Sequence, residues 1–193
     1  MIRYTAKMEH NSKTIEKLVE TQQRVFQFGQ RVGYMLISAL LIIYGLYADK
    51  SMYTSYLALF AGCVMVTGLS FNTKRHAQAL VKQMEGNFPK SNYTFTAQGF
   101  TDYSEGDIIP YQKLYRLVED QKYLYLYVNK QSAYMVDKST VLRGTPSDLK
   151  NFLSSKTALN WTRPNSLLNF SFLKLFREKE AERKSSYQGP RLK

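Results

Sequence analysis

Residues 32–48 read VGYMLISALLIIYGLYA, and residues 51–73 read SMYTSYLALFAGCVMVTGLSFNT. Neither run contains Asp, Glu, Lys or Arg, and only Asp49 and Lys50 stand between them. A membrane-spanning helix needs about 20 apolar residues, within a range of about 17–25. The first run is at the short end, and Phe26, Phe28 and the aliphatic stem of Arg31 extend it. The second run is long enough alone. Tyr34, Tyr44, Tyr47, Tyr53 and Tyr56 lie near the ends, where interfacial aromatic belts form. The link at 48–51 is too short for anything but an antiparallel turn. The pattern predicts a transmembrane helical hairpin, because a soluble domain of this size seldom carries two uncharged runs in tandem.

The rest of the 193 residues allows one small soluble domain beside the hairpin. Lys and Arg number 27 against 15 acids. Such an excess points to nucleic acid, to an anionic membrane surface or to topology signals, and the hairpin favours the last two. Lys13, Lys17, Arg24 and Arg31 precede the first run, and Lys74, Arg75 and Lys82 follow the second. The turn carries only Lys50. The positive-inside rule therefore predicts a multi-pass cell-membrane protein with both termini in the cytoplasm. No cleavage site follows the first run, so it is expected to stay in the mature protein. The single cysteine, Cys63, is mid-run and excludes an internal disulfide framework.

Working outward from the hairpin, residues 1–9 alternate in polarity, which predicts a short strand needing a partner in a later sheet. Asn11 or Ser12 then caps an amphipathic helix carrying Ile15, Leu18, Val19, Val25 and Phe26, which can run straight into the first span. Residues 74–86 continue the second span as a stem with Ala77, Leu80, Val81 and Met84 as its stripe. Past Pro89, strands are expected at 93–97, 100–103, 111–119 (with 108–110 leading into it), 122–128 and 133–136, joined by hairpin-length turns. Thr145-Pro146-Ser147-Asp148 is a capping box opening a helix that ends near Lys156. The expected organisation is a strand and connecting helix over 1–31, the hairpin over 32–73, the stem over 74–86, and a β domain with its capped helix over 87–156. Residues 157–193 read as an amphipathic basic tail with a disordered end. Within it Leu168, Phe172, Leu175 and Phe176 share a helical face, which can lie in the membrane interface or pack on the β domain.

The stretch YQKLYRLVEDQKYLYLYVNKQSAYMVDKSTV, residues 111–141, resembles the YcxB-like family. The resemblance lies in Tyr111, Lys113 and Leu114, the acidic turn Glu119-Asp120, the aromatic-aliphatic strand after it, and the strand ending at Lys138 before a capped helix. Where such strands often end in an Ile-Pro-Lys-like triplet, this chain has Val136-Asp137-Lys138. The order of elements agrees over about residues 1–156. The resemblance implies a bacterial membrane protein whose two adjacent helices carry a C-terminal domain like bacterial pleckstrin-homology folds. It brings no catalytic residues with it. The fold class expected is thus membrane α+β: a two-helix hairpin plus a small antiparallel β domain closed by a helix.

Nothing in the sequence is patterned for catalysis. His10 and His76 are the only histidines, and neither has a nucleophile or acid at useful spacing. No metal-ligand spacing and no Gly-rich phosphate loop occur, so no cofactor and no metal are expected. Asp102, Glu105 and Asp107 read as exposed turn acids. Ala58-x-x-x-Gly62, with Ala61 and Gly68, would let the two spans approach closely. Nucleic acid is not expected, because topology signalling accounts for part of the charge and no RNP-type motif is present.

Two candidate surfaces remain. Arg31, Lys74, Arg75, Lys82 and Lys174 can contact anionic headgroups, each such charge contributing about 1 kcal/mol near the surface. Tyr123, Tyr125 and Tyr127 alternate with Leu124, Leu126 and Val128, so the three rings share one strand face. They read either as a partner-binding patch or as a core strand with rings at the domain edge. The expected function is a non-enzymatic membrane-anchored module that presents the β domain to a protein, a peptide or anionic lipid. The alternative is an accessory subunit of a membrane transporter or enzyme complex that assembles through the hairpin.

Overall fold

The computed structural model describes residues 2–47, 52–84, 86–103 and 106–165. Strand β1 spans Tyr4–Glu9 and helix α1 spans Ser12–Phe26. The Asn11 side chain accepts from the Thr14 backbone N–H at 3.0 Å, and the Asn11 N–H donates to Thr14 Oγ1 at 2.7 Å. This reciprocal box satisfies two of the donors that a helix start leaves unpaired.

Helix α2 spans Phe28–Tyr47, so α1 does not run straight into it. Gln27, at φ −113° and ψ 9°, breaks the line. Packing explains the break. Phe26 lies on the Tyr127 ring, while Phe28, two residues on, is also buried. On one continuous helix these two would point to opposite sides.

Helix α3 spans Met52–Gln83 without interruption and is about 48 Å long at 1.5 Å per residue. Its first part carries the apolar run and its last part the expected stem. Helices α2 and α3 are each long and apolar enough to cross a membrane. Only 17% and 13% of their apolar windows are buried, which distinguishes them from the core helices of a soluble domain. Leu40, Leu46, Leu57 and Phe60 all face outward.

The two helices meet over small residues. A Cβ added to Gly45 would stand 2.8 Å from the Ser55 carbonyl oxygen and 2.9 Å from the Leu59 nitrogen. One added to Gly62 would stand 2.7 Å from Ile42 Cγ1 and 3.0 Å from the Ser38 carbonyl oxygen. Ala58 is buried, and so is Ser38, whose hydroxyl donates to the Tyr34 carbonyl at 2.8 Å. Gly68 takes no part, since nothing lies within 4 Å of its would-be Cβ. Gly45, on α2, makes a close approach that the small-residue spacing on α3 did not mark.

The β structure forms two four-stranded sheets. The first has the order β1-β2-β3-β4, with β2 at Lys90–Phe95, β3 at Gly99–Asp102 and β4 at Ile108–Pro110. All its pairs are antiparallel, and β1 meets β2 in a register from Tyr4↔Phe95 to Glu9↔Lys90. The second sheet contains β5 at Arg116–Glu119, β6 at Tyr123–Tyr127, β7 at Ala133–Asp137 and β8 at Trp161–Thr162, in the order β7-β6-β5-β8. Strand β1 also joins the sheets, through a bridge between Thr5 and Leu142 and a bond from the Lys7 N–H to Thr140 Oγ1.

The stretch at 108–119 is not one strand. A 3₁₀ turn at Tyr111–Lys113 divides it. Tyr111 and Leu114 are both buried, and a spacing of three brings them to one side in such a turn but to opposite sides on a strand. The Tyr111 hydroxyl donates to the Thr96 carbonyl at 2.8 Å.

The β domain also extends beyond residue 156. Strand β8 runs parallel to β5, with Leu117↔Trp161 and Val118↔Thr162 in register. The Trp161 indole donates to the Lys150 carbonyl at 3.1 Å, and the Thr162 hydroxyl donates to the Leu117 carbonyl at 3.1 Å. Helix α4, Pro146–Thr157, lies across the sheets with Leu149, Phe152 and Leu153 buried. Its Thr145–Asp148 capping box forms as the sequence predicts.

Candidate functional site

Strand β6 is buried on both faces. Leu124 and Leu126 face the core shared with Leu117, Val136, Leu149 and Leu153. Tyr125 and Tyr127 face the other way and are also fully buried. The cover on that side is α1. The Thr21 hydroxyl donates to the Tyr125 hydroxyl at 3.3 Å, and the Phe26 ring meets the Tyr127 ring edge-on at 5.0 Å. The Arg116 guanidinium lies 5.8 Å from the Phe26 ring centroid. Tyr125 and Tyr127 therefore offer no partner surface, and only Tyr123 is half exposed. Alternation predicts two faces for such a strand, but a helix more than 100 residues earlier decides what covers the second.

Asp120 anchors the turn between β5 and β6. Its carboxylate accepts from the Lys122 N–H at 2.9 Å, the Tyr123 N–H at 2.7 Å and the Tyr125 hydroxyl at 2.9 Å. Burial raises the Tyr125 pKa, so the phenol stays a donor to Asp120 at any physiological pH. Beside it, Glu119 accepts from Lys150 at 2.7 Å and from Lys138 at 3.3 Å, and Lys138 also donates to the Asp120 carbonyl at 2.5 Å. These three side chains are 16%, 25% and 21% exposed, so they are little screened. Burial raises the Glu119 pKa, and the two ammonium groups more than offset it, holding the carboxyl below its ordinary value.

Glu119→Gln is expected to cost about 1–2 kcal/mol, because two ammonium groups lose their carboxylate. The depressed pKa means this contribution is present above the ordinary glutamate value of 4.5 and disappears as pH falls through the lower folded value. Denaturant melts at pH 7 and pH 3.5 should show a gap between the wild-type and Gln proteins that closes on acidification.

Between α1 and this turn runs an open groove of about 1020 Å³. Lys13, Lys17 and Arg24 line it from α1, Lys122 and Lys138 from the sheet, and Arg163 from just beyond β8. Glu119 and Asp120 are the acids on its wall, and both are already satisfied from within. Sequence reasoning missed this groove, because its cations come from three separate stretches of chain.

The expected membrane-surface cations do not form one set. Arg31 donates to Thr73 Oγ1 at 3.0 Å, and Thr73 is hydrogen-bonded to Gln23, in a hollow where α1, α2 and α3 converge. Lys74, Arg75 and Lys82 are exposed on α3. Lys82 stands about 12 Å further along the helix than Lys74. Lys174 lies outside the described residues.

Among the described residues, no three His, Cys, Asp or Glu side chains cluster to hold a metal. Cys63 is exposed on α3. Burial lowers the pKa of His10 against the pull of Asp102, and its buried Nδ1 has no hydrogen-bond partner among the described residues.

The geometry of β3 to β7 with α4 coincides with a known sequence family. Residues 95–153 match the YcxB-like protein family. Over these residues the chain is similar to that family, as the stretch at 111–141 led us to expect. No curated protein and no solved structure matches the chain. The YcxB-like segment supplies the sheet wall of the groove, including Glu119, Lys122 and Lys138. The helical wall and Arg163 come from outside it.

Proposed function

We propose that this protein is a two-span cell-membrane protein whose hairpin tethers a non-enzymatic interaction module to the cytoplasmic face. The observation that carries the reading is the pairing of β1 with β2 across the hairpin. Two strands of one sheet must lie on the same side of a bilayer, so the chain between them crosses it an even number of times. The outward-facing apolar side chains of α2 and α3 fit two crossings. The positive charges on either side of the hairpin favour the cytoplasm for both flanks.

The β domain has the build of a pleckstrin-homology-like module: two antiparallel-rich sheets with a capped helix across them. The YcxB-like match supports that likeness. At about 48 Å, α3 exceeds a hydrocarbon core of about 30 Å. Its last turns therefore stand in the cytoplasm as a stem, with α1 packed between stem and sheet.

A reporter fused after Lys193 is expected to read cytoplasmic, and a tag inserted between Asp49 and Lys50 to be cleaved by protease added outside spheroplasts. The full-length protein should resist extraction by carbonate. An extracytoplasmic reporter, or release by carbonate, would overturn the reading.

A further inference from the structure

We propose that the groove between α1 and the β5–β6 turn binds a soluble anion carrying several phosphate groups. This deepens the module reading by naming the ligand class of its cytoplasmic domain.

The charge balance of the groove is the first argument. Glu119 is held by Lys138 and Lys150, and Asp120 by two backbone N–H groups and the Tyr125 hydroxyl. Arg24 and Lys17 are paired with Glu20. Lys13, Lys122 and Arg163 line the same groove, are exposed, and have no acidic partner among the described residues. Like charges on one groove repel, and the six Lys and Arg side chains that line this one outnumber its two acids, Glu119 and Asp120. A multivalent anion supplies the missing charge, and ammonium and guanidinium groups are its ordinary ligands.

The position of the groove selects the source of the phosphate. Gln23 bonds Thr73 at the level where the helices converge. Lys13 lies ten residues earlier on α1, about 15 Å further out. The headgroup layer adds only about 5–8 Å to each side of the hydrocarbon core, and screening at physiological salt acts over about 8 Å. Because α1 packs along α3, Lys13 at its far end stands beyond the headgroups next to the hairpin, whereas Arg24, one residue from Gln23, is already paired. A soluble phosphate compound reaches Lys13, Lys122 and Arg163, and the host bilayer does not.

The test uses the full-length protein in phosphatidylcholine nanodiscs, titrated calorimetrically with tripolyphosphate. Saturable one-to-one binding is expected. The Lys13→Gln/Lys122→Gln/Arg163→Gln variant should bind at least tenfold more weakly. A control lacking three exposed lysines elsewhere, Lys7→Gln/Lys113→Gln/Lys156→Gln, should bind like wild type. All these substitutions are at exposed positions, and Trp161 fluorescence melts check that each variant is folded. Membrane integration is scored separately by carbonate extraction, so a failure of the tether reading is distinguishable from a failure of the site.

A second arm replaces a third of the lipid by phosphatidylglycerol, without tripolyphosphate, and follows protection of the β5–β6 turn by amide exchange. No protection is expected there. The proposal fails if tripolyphosphate does not saturate, if the control loses as much affinity as the groove variant, or if the turn is protected by phosphatidylglycerol instead.

Discussion

Tyr125→Ala is expected to destabilise the β domain by about 3–5 kcal/mol, in the range of large aromatic truncations in cores. The ring is fully buried between β6 and α1. Its removal leaves a cavity and strips the Asp120 carboxylate of a donor inside the turn. Tyr125→Phe keeps the ring and loses only the hydroxyl, so about 1–2 kcal/mol is expected. Tyr127 provides the contrast. Its hydroxyl is buried with no hydrogen-bond partner among the described residues. Tyr127→Phe should therefore be neutral or stabilising by up to about 1 kcal/mol, since an unsatisfied polar group is removed. Trp161, the single tryptophan, is in β8 and reports on the domain directly. Urea titrations of the micellar protein followed by its fluorescence measure all three variants. A loss below 1 kcal/mol for Tyr125→Ala would mean that the ring is not the core element described.

Gly45→Val should be the most disruptive single change in the hairpin. The would-be Cβ meets the backbone of α3, at Ser55 and Leu59, and backbone cannot move aside by changing rotamer. The helices must separate, which forfeits the contacts around Ser38, Ala58 and Gly62. A cost of about 2–3 kcal/mol is expected, in the upper range of overpacking. Gly62→Val should cost somewhat less, because the facing backbone is further away there, 3.0 Å at the Ser38 carbonyl and 3.3 Å at the Ile42 nitrogen. Gly68→Val has open space and should fall within about 0.5 kcal/mol of wild type. The measurement is the SDS fraction at which helicity is half lost, starting from mild detergent. Equal midpoints for the Gly45 and Gly68 variants would dispose of the close contact.

These two predictions also mark where sequence and structure part. The hairpin is legible because the absence of charge over two runs is a compositional signal that no fold detail can hide. The capping box at Thr145 and the alternation of β1 are local and equally legible. Strand β8 is not, because two residues carry no period and their parallel partner lies more than 40 positions away. Choosing Gly45 over Gly68 needs the relative rotation of two helices, which small-residue spacing leaves open. The tyrosine face of β6 and the cations of the groove depend on the same unseen fact: α1 folds back over the second sheet. That placement turns Tyr125 and Tyr127 from a surface into a core, and puts Lys13 on the same groove as Lys122 and Arg163.

The split sheet also sets a timetable. Strand β1 leaves the ribosome 81 residues before the residue that pairs with its far end, Glu9 with Lys90. At about 5–20 residues per second the wait is about 4–16 s. During it the apolar faces of β1 and α1 have no partner, while both hydrophobic segments emerge. On the tether reading proposed above, insertion comes first and domain closure afterwards, with β8 arriving last. A chain whose hairpin stalls in the translocon keeps its first strand on the wrong schedule, and its β domain stays open to proteases although no residue of that domain has changed.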